Sequence, residues 1–395
     1  MSDTACFARL PDLDPDAPDF IALRRHLHAH PELGADVPET AALVAALLRR
    51  WGYEVHEGIG GQGVVGRLRQ GTGPRSIGIR ADMDALPIAE ATGLEYASRV
   101  PGAMHACGHD GHTAILLAAA WRLARSCRFD GTLVLIFQPD EEGLTGAKRM
   151  VEDGLFDRFP VDAVYALHNG PGIPVGTIVA VEGPTSLASD IATITLTGRG
   201  GHGAMPDKAR DPVVAAAAIV MALQTVVSRN LPAGETGVVS IGAIHAGTTH
   251  NVIPETAELK LNIRSADAGI RGQIEARIRT IVAGQAAAFD VTAAIDYRHL
   301  VPAVVNTPDE TALLRQVAAG IVGETNVLTT LPGIAGSEDF AWMAAGRRAC
   351  YAVIGNGVGS AGGCMIHNPG YDFNDAALET GISLWVNLVE EILAI

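Results

Sequence analysis

The stretch from Met104 to His112 constrains this chain more than any other part of its sequence. In nine residues it holds three histidines, a cysteine and an aspartate, and it runs into an apolar segment, 113–121, that predicts a buried helix. Polar side chains at such a place cost free energy unless a partner satisfies them. Cysteine and histidine are ligands that first-row transition metals prefer, and Cys107 and His109 are near enough to share one ion. The stretch predicts a metal site, with a polar helix start as the simpler alternative.

Composition narrows the class of protein. The chain has 395 residues, enough for about two domains, and 48% are hydrophobic, so a sizeable core is available. A net charge of -15 is a poor match for nucleic acid. Residues 1–20 carry acids and prolines where a signal peptide needs a basic start, and the Ala-rich stretches are too interrupted to cross a bilayer. The five cysteines are scattered, which suits a reducing compartment. Together these features predict a cytoplasmic protein that binds neither nucleic acid nor membrane.

Polar side chains follow three predicted buried strands, at the point where each strand ends. Ligands gather outside the carboxyl ends of strands in open α/β sheets, so we expect these side chains at one sheet edge. Of the two adjacent glutamates, one can bind a metal while its neighbour transfers a proton. The strands and the residues after them are 76–80 with Asp82 and Asp84, 132–137 with Glu141 and Glu142, and 161–167 with His168.

The segment Gly58 to Gly63 matches the G-x-G-x-x-G dinucleotide fingerprint. That motif requires a helix after the glycines, whereas the residues that follow here, 64–68, alternate as a strand does. The pattern favours a β-hairpin, and a nicotinamide-dependent oxidoreductase is kept as an alternative function of a different class.

The helix predicted for 20–32 carries arginines and histidines, among them Arg24, His26 and His28. His26 and His30 are four residues apart and could share a metal ion, but we interpret these residues as a solvated face. After Gly183 the predicted element order becomes βαββαβ, which is typical of a ferredoxin-like unit inserted into the first domain. The predicted domains are residues 1–185 and 301–395 for the catalytic part and 186–300 for the inserted part.

Seven segments carry motifs: Arg24 to Gly34, Arg80 to Pro87, His105 to Asp110, Gln138 to Gly143, Gly201 to Pro206, Asn251 to Pro254 and His367 to Phe373. In this order they resemble the amidohydrolase branch of the M20 metallopeptidase family, the branch of hippurate hydrolases, N-acyl-amino-acid amidohydrolases and auxin-conjugate hydrolases. The resemblance covers nearly the whole chain. It implies an α/β zinc-peptidase-like catalytic domain with a mixed central sheet flanked by helices. It also implies an inserted α+β satellite domain that acts as lid and dimerisation surface.

Residue by residue, the resemblance implies five ligands for two divalent metal ions and makes Glu141 the general base. It assigns His202 to the substrate carbonyl, from the same or a partner subunit. Asp84 joins the catalytic set as a carboxylate that orients a metal-binding histidine. Asn251 and Arg264 are candidates for binding the substrate carboxylate, although Arg264 could equally be a surface ion-pair partner. The five implied ligands are Cys107, His109, Glu142, His168 and His367.

Two positions depart from the family pattern. Asp207 stands where relatives often carry histidine, which changes what the lid contacts. Asp140 stands where alanine is common, and we expect it to add negative charge near the base.

We therefore expect a dinuclear metal-dependent amidohydrolase that cleaves N-acyl amino acids, hippurate-like or N-acetylated, to a carboxylate and a free amino acid. The mixed ligands fit zinc, and manganese, cobalt and nickel are alternatives. Other C–N bonds, as in N-acetyl-diaminopimelate or an aromatic amide, are alternatives within the family. A relative that only binds metal is disfavoured by the intact base Glu141. A homodimer or homotetramer through the satellite domain is the expected assembly.

Overall fold

The computed structural model describes residues 14–330, 336–360 and 362–395. The strands are β1 (Glu54–Ile59), β2 (Gly63–Gln70), β3 (Ser76–Asp82), β4 (Gly131–Gln138), β5 (Ala163–Pro171), β6 (Ile178–Val179), β7 (Gly183–Pro184), β8 (Ala188–Thr197), β9 (Gly201–His202), β10 (Gly237–Ala246), β11 (Val252–Ile253), β12 (Thr256–Ser265), β13 (Thr292–Val301), β14 (Val305–Asn306), β15 (Val327–Leu328) and β16 (Arg348–Gly357). The helices are α1 (Phe20–Ala29), α2 (Pro38–Arg50), α3 (His109–Ser126), α4 (Gly146–Glu152), α5 (Leu155–Arg158), α6 (Pro212–Leu223), α7 (Thr225–Asn230), α8 (Ala268–Ala288), α9 (Pro308–Val322), α10 (Ala341–Ala344) and α11 (Leu378–Ile392).

These elements form two compact units. The first, which we call the catalytic unit, comprises the described residues up to Thr185 and those from Val305 onwards, apart from a short segment that ends at Glu338. The second, the satellite unit, is Ser186–Val304 together with that segment. Among the described residues, no helix is long and apolar enough to cross a membrane.

The catalytic unit is built on an eight-stranded mixed sheet with the order β1-β2-β4-β3-β5-β16-β6-β15. Strand β3 lies between β4 and β5 and is parallel to both, and β16 is parallel to β5. Strand β2 is antiparallel to β1 and β4. The predicted α/β class with a mixed central sheet is therefore confirmed. The parallel strands explain the continuous apolar runs of the sequence, since both faces of such strands are covered.

Helix α3 forms the centre of the core of this unit. Its residues Ala114 to Ala120 are completely buried, and α1 and α11 pack against it. The crossing with α11 is close, because a Cβ on Gly381 would lie 2.7 Å from Ile115 Cδ1. The helix that begins in the metal-binding motif is thus buried from His109 to Ala120.

The glycine segment Gly58 to Gly63 joins β1 to β2 in an antiparallel hairpin. A dinucleotide site needs a strand followed by a helix at these glycines. The structure has a second strand there instead, so the geometry required by the oxidoreductase alternative is missing at this segment.

The satellite unit has a sheet and an apolar core of its own. Its four-stranded antiparallel sheet has the order β10-β12-β8-β13, and α6 and α8 pack on it over a separate apolar core. Outside this sheet, β9 and β11 form a short antiparallel pair.

One predicted strand boundary is wrong. Strand β5 continues to Pro171, so His168 lies inside the strand rather than after it.

Candidate metal centre and active site

The candidate site lies where β3, β4 and β5 end and α3 begins. Because these three strands are parallel, their carboxyl ends meet at one edge of the sheet. The chain turns into α3 at Gly108, which has a φ of 94°. Only glycine adopts such a conformation without strain. A Cys-Gly-His sequence at this turn therefore places a thiol and an imidazole at the sheet edge.

Three of the predicted ligands form a first cluster. Ligand atoms of Cys107, His109 and His168 all lie within 4.8 Å of one another. Cys107 Sγ is 3.3 Å from His168 Nε2. A thiol and two imidazoles at this spacing form a donor set typical of zinc and related ions.

Two further predicted ligands form a second cluster with the same thiol. Ligand atoms of Cys107, Glu142 and His367 lie within 4.8 Å of one another, and Glu142 Oε1 is 3.3 Å from His367 Nε2. Glu141 belongs to a third set with His109 and Glu142, and its Oε2 is 3.9 Å from His109 Nε2. The structure thus brings together all five predicted ligands and the predicted base.

Backbone carbonyls orient two of the histidines. His109 Nδ1 lies 2.8 Å from the carbonyl oxygen of Asp84, and His168 Nδ1 lies 2.7 Å from that of Asn169. Each carbonyl accepts the Nδ1 proton, and in the neutral ring this leaves the lone pair on Nε2. His109 Nε2 is buried without a hydrogen-bond partner among the described residues. A buried lone pair aimed at a thiol and carboxylates fits a bound cation.

The electrostatics agree with a cation at this place. Burial raises the pKa of the Cys107 thiol well above its ordinary value and lowers the pKa of His168 to about 3. Without a cation the thiol is therefore protonated, whereas a metal ligand must be the thiolate. His168 is already neutral, as a ligand has to be. The donor set fits divalent metal ions, and the bound charge would stabilise the thiolate.

Asp84 holds the turn that carries both glutamates. Its Oδ1 accepts the backbone N–H of Glu141 at 3.0 Å, and its Oδ2 accepts that of Glu142 at 3.1 Å. The buried side chain therefore fixes the backbone of the predicted base, while its main-chain oxygen orients His109. Asp84 therefore positions Glu141, Glu142 and His109. Its place after β3 was the sequence signal that predicted a role for it.

A buried network behind the ligands was not expected from the sequence. His112 Nδ1 is 2.7 Å from Asp82 Oδ1, and Arg80 Nη1 is 2.6 Å from Asp82 Oδ2. On its other side, His112 Nε2 is 2.8 Å from Asn169 Oδ1. Ligand atoms of Asp82, His109 and His112 are close enough to count as a metal-binding group of their own, although the family pattern omits His112.

The expected solvated face of α1 is wrong for two of its residues. Arg24 and His28 are fully buried. Arg24 pairs with the carboxylates of Asp110 and Asp372 at 3.3 and 3.1 Å, and His28 Nδ1 is 2.9 Å from Asp110 Oδ2. The carboxylates come from the start of α3 and from the loop after His367, so no local pattern on α1 could indicate them. Arg24 and His28 do lie in a family motif, which was the available signal.

The other predicted residues lie in the satellite unit. His202, on β9, is exposed, and its Nδ1 accepts the backbone N–H of Ala204 at 3.1 Å. Asn251 lies beside it, because its carbonyl accepts the backbone N–H of Gly203. Arg264 is on β12, where its guanidinium bonds Asn262 and the carbonyl oxygen of Ile263.

The two departures from the family pattern have local partners. Asp140 has a φ of 59°, accepts the hydroxyl of Thr145, and lies 3.5 Å from Arg149 Nη1. Aspartate tolerates this left-handed conformation better than most residues. Its charge is thus paired. Asp207 is exposed and paired with Lys208.

Comparison with known proteins decides the family. The model of peptidase family M20/M25/M40 matches residues 78–391. The chain belongs to this family. It is accordingly a metal-dependent hydrolase of amide bonds, as the sequence predicted. The matched residues include every predicted site residue of both units.

Similar M20 proteins differ in their substrates. The chain is 42% identical to hippurate hydrolase of Campylobacter jejuni over 95% of this chain and 97% of that one. It is 36% identical to N-acetyl-L-cysteine deacetylase of Bacillus subtilis, over 91% and 84%. A solved dinuclear metal-binding M20 peptidase from Bacillus subtilis superimposes with a TM-score of 0.83 at 30% identity, covering 99% of both chains.

Proposed function

We propose that this M20 protein is a dinuclear metal-dependent amidohydrolase that releases free amino acids from N-acyl amino acids. The observation that carries the proposal is the convergence of Cys107, His109, Glu142, His168 and His367, with Glu141 beside two of them. Similarity to a hippurate hydrolase and to an N-acetyl-L-cysteine deacetylase supports an acyl group on the nitrogen of an amino acid.

Each of the predicted residues has a role in the proposed hydrolysis. Two divalent ions held by the five ligands would polarise the amide carbonyl and lower the pKa of water. Glu141 takes a proton from the attacking water and delivers it to the leaving amine. Asp84 keeps Glu141 in place through its backbone N–H. From the family motif, we assign His202 to the developing negative charge on the carbonyl oxygen and Asn251 and Arg264 to the substrate carboxylate.

The activity is tested with metal-stripped enzyme reloaded separately with Zn, Mn, Co or Ni and a panel of N-acetyl and N-benzoyl amino acids. We expect metal-dependent release of free amino acid from at least one member of the panel, quantified by amine derivatisation. If the enzyme demonstrably binds two metals but releases nothing from the panel, the proposed substrate class is wrong. N-acetyl-diaminopimelate and aromatic amides are then the next substrates to assay.

The surface of the satellite unit supports a homodimer. Helix α6 leaves Val213, Val214 and Met221 exposed along one face, and Met221 is 71% exposed. The helix packs beside β10, an edge strand that in the described part of the unit pairs only with β12. A second copy can cover both, since edge strands pair readily and the apolar helix face loses contact with water.

The dimer is tested by light scattering on the parent and on M221D. We expect a dimeric parent and a monomeric variant with intact metal binding. A monomeric parent would overturn this assembly without affecting the catalytic proposal.

We also propose that the protein is cytoplasmic, because free thiols such as Cys107 persist in that reducing compartment.

A further inference from the structure

A hydrogen-bonded pair, Asn169 and Tyr371, joins the parts of the chain that carry the ligands. Asn169 Nδ2 donates to the hydroxyl oxygen of Tyr371 at 2.6 Å across 202 positions of sequence. Asn169 is 2% exposed and Tyr371 is completely buried. The bond connects the end of β5, which carries His168, to the loop that carries His367.

The remaining polar groups of Asn169 contact two further parts of the site. Its backbone carbonyl oxygen accepts the Nδ1 proton of His168. This bond directs Nε2 of that ring to the metal-binding cluster. Its Oδ1 is 2.8 Å from Nε2 of His112, in the first turn of α3. The Asn169 side chain therefore joins the helix to the loop, while its backbone orients the histidine that precedes it on the strand.

The backbone between two of the ligands packs directly on the pair. A Cβ at Gly108 would lie 2.2 Å from Asn169 Oδ1 and 2.6 Å from the hydroxyl oxygen of Tyr371. Gly108 stands between Cys107 and His109. A displacement of Asn169 or Tyr371 is therefore transmitted to both ligands through van der Waals contact.

The loop with His367 depends on a buried anchor. His367 has a φ of 61°, and its ring is half exposed. Its backbone N–H donates to the carbonyl oxygen of Ala106 at 2.7 Å, and the chain then turns, with the N–H of Tyr371 bonded to Asn368. Tyr371 is the residue at which this short turn enters the core, so its position sets the position of the loop.

We propose that Asn169 and Tyr371 are positioning residues that hold the His168 and His367 segments and the turn at Gly108 in the geometry that binds metal. The inference rests on the proposed metal centre. In a purely structural role, the bond between Asn169 and Tyr371 would contribute to stability and leave metal affinity unchanged.

The test compares Y371F with Y53F. Tyr53 offers a matched control, since its buried hydroxyl donates to the carbonyl oxygen of Ala120 at 3.0 Å in the same unit. Each variant loses one buried hydroxyl bond. Affinity for Co²⁺ is measured on metal-stripped enzyme by competition with a chromogenic chelator, together with the visible absorption of the cobalt-loaded enzyme. We expect Y371F to bind Co²⁺ about 10- to 100-fold more weakly with altered absorption bands, whereas Y53F binds as the parent does.

A second variant, N169S, removes the same bond from its other side, and the double variant N169S/Y371F completes a cycle. We expect the double variant to bind Co²⁺ no more weakly than N169S, because the bond can be lost only once. N169S also stands in for Y371F if that variant does not fold. Affinities of Y371F and N169S equal to that of Y53F would overturn the inference. Failure of the parent itself to bind Co²⁺ would instead overturn the proposed metal centre.

Discussion

The candidate residues of the two units are held very differently. In the catalytic unit most of them lie buried near the ends of strands β3, β4 and β5, where Asp84 accepts two consecutive backbone N–H groups. In the satellite unit, His202 is exposed, and its ring accepts the backbone N–H of Ala204 two residues further along the chain. The metal centre is thus held in place by the fold, whereas the ring of His202 remains exposed to solvent.

The largest expected effect is on the base. We expect E141Q to lose at least about 10²- to 10⁴-fold in kcat, because no carboxylate remains to transfer the proton, while its metal content stays at the parent level. The matched variant is E142Q, which removes a proposed ligand and should lose metal as well. Metal analysis and steady-state kinetics on both variants check this. An E141Q enzyme with parental activity would contradict the assignment.

Removing a buried charge should lower the free energy of unfolding more than removing an exposed one. We expect R24A to lower the free energy of unfolding by about 3–5 kcal/mol, because it removes the buried guanidinium that pairs with the carboxylates of Asp110, Asp372 and Asp375. The control R122A breaks an exposed pair with Glu379 and should cost about 0–1 kcal/mol. Urea denaturation of the metal-loaded proteins compares them. Equal losses would show that the buried network does not stabilise the unit.

The satellite histidine should affect turnover and leave metal binding alone. We expect H202A to lower kcat by about 10²- to 10³-fold, as loss of a donor to the carbonyl oxygen does. The control H56A removes a partly exposed histidine on β1 that bonds Glu54. Kinetics and Co²⁺ titration are measured on both. A fall in Co²⁺ affinity in H202A would mean that the two units are not separate in function.

The smallest expected effect is a pH dependence of stability. Burial by itself lowers the pKa of His28, but hydrogen bonds with Asp110 and Glu90 outweigh it and raise the pKa to about 9. Because the folded pKa exceeds the unfolded value of about 6.5, protonated His28 stabilises the fold fully below pH ~6.5. The contribution is lost as the pH rises through about 9.

This dependence is measured as the difference in Tm between the parent and H28Q from pH 6 to pH 10. The difference should be largest at the acidic end and shrink towards the alkaline end. A difference that does not change with pH would contradict the assigned protonation of His28.

Much of the fold and most of the metal-binding clusters could be predicted from sequence. The hairpin at Gly58 to Gly63 follows from alternation and glycine, which are local signals. The donors after β3, β4 and β5 follow from apolar runs that end in polar residues. His367 gave only a weak signal by itself, because it lies in a loop with a φ of 61° that no periodicity indicates.

The residues that support the site could not be predicted by the same means. Arg24 looked like part of a solvated helix face, yet its carboxylate partners lie at the start of α3 and in the loop beyond His367. Asn169 and Tyr371 are 202 positions apart and share no pattern. These polar groups become buried and find their partners only when the segments pack against one another.

The sequence by itself therefore determined which elements form and which donor types follow each strand, because backbone preference and hydrophobic period are properties of neighbouring residues. The tertiary structure alone decided which donors share an ion and which buried side chains orient them. Those outcomes depend on distances between segments that are remote in the chain, and on burial, which makes an unpaired polar group costly and a paired one specific.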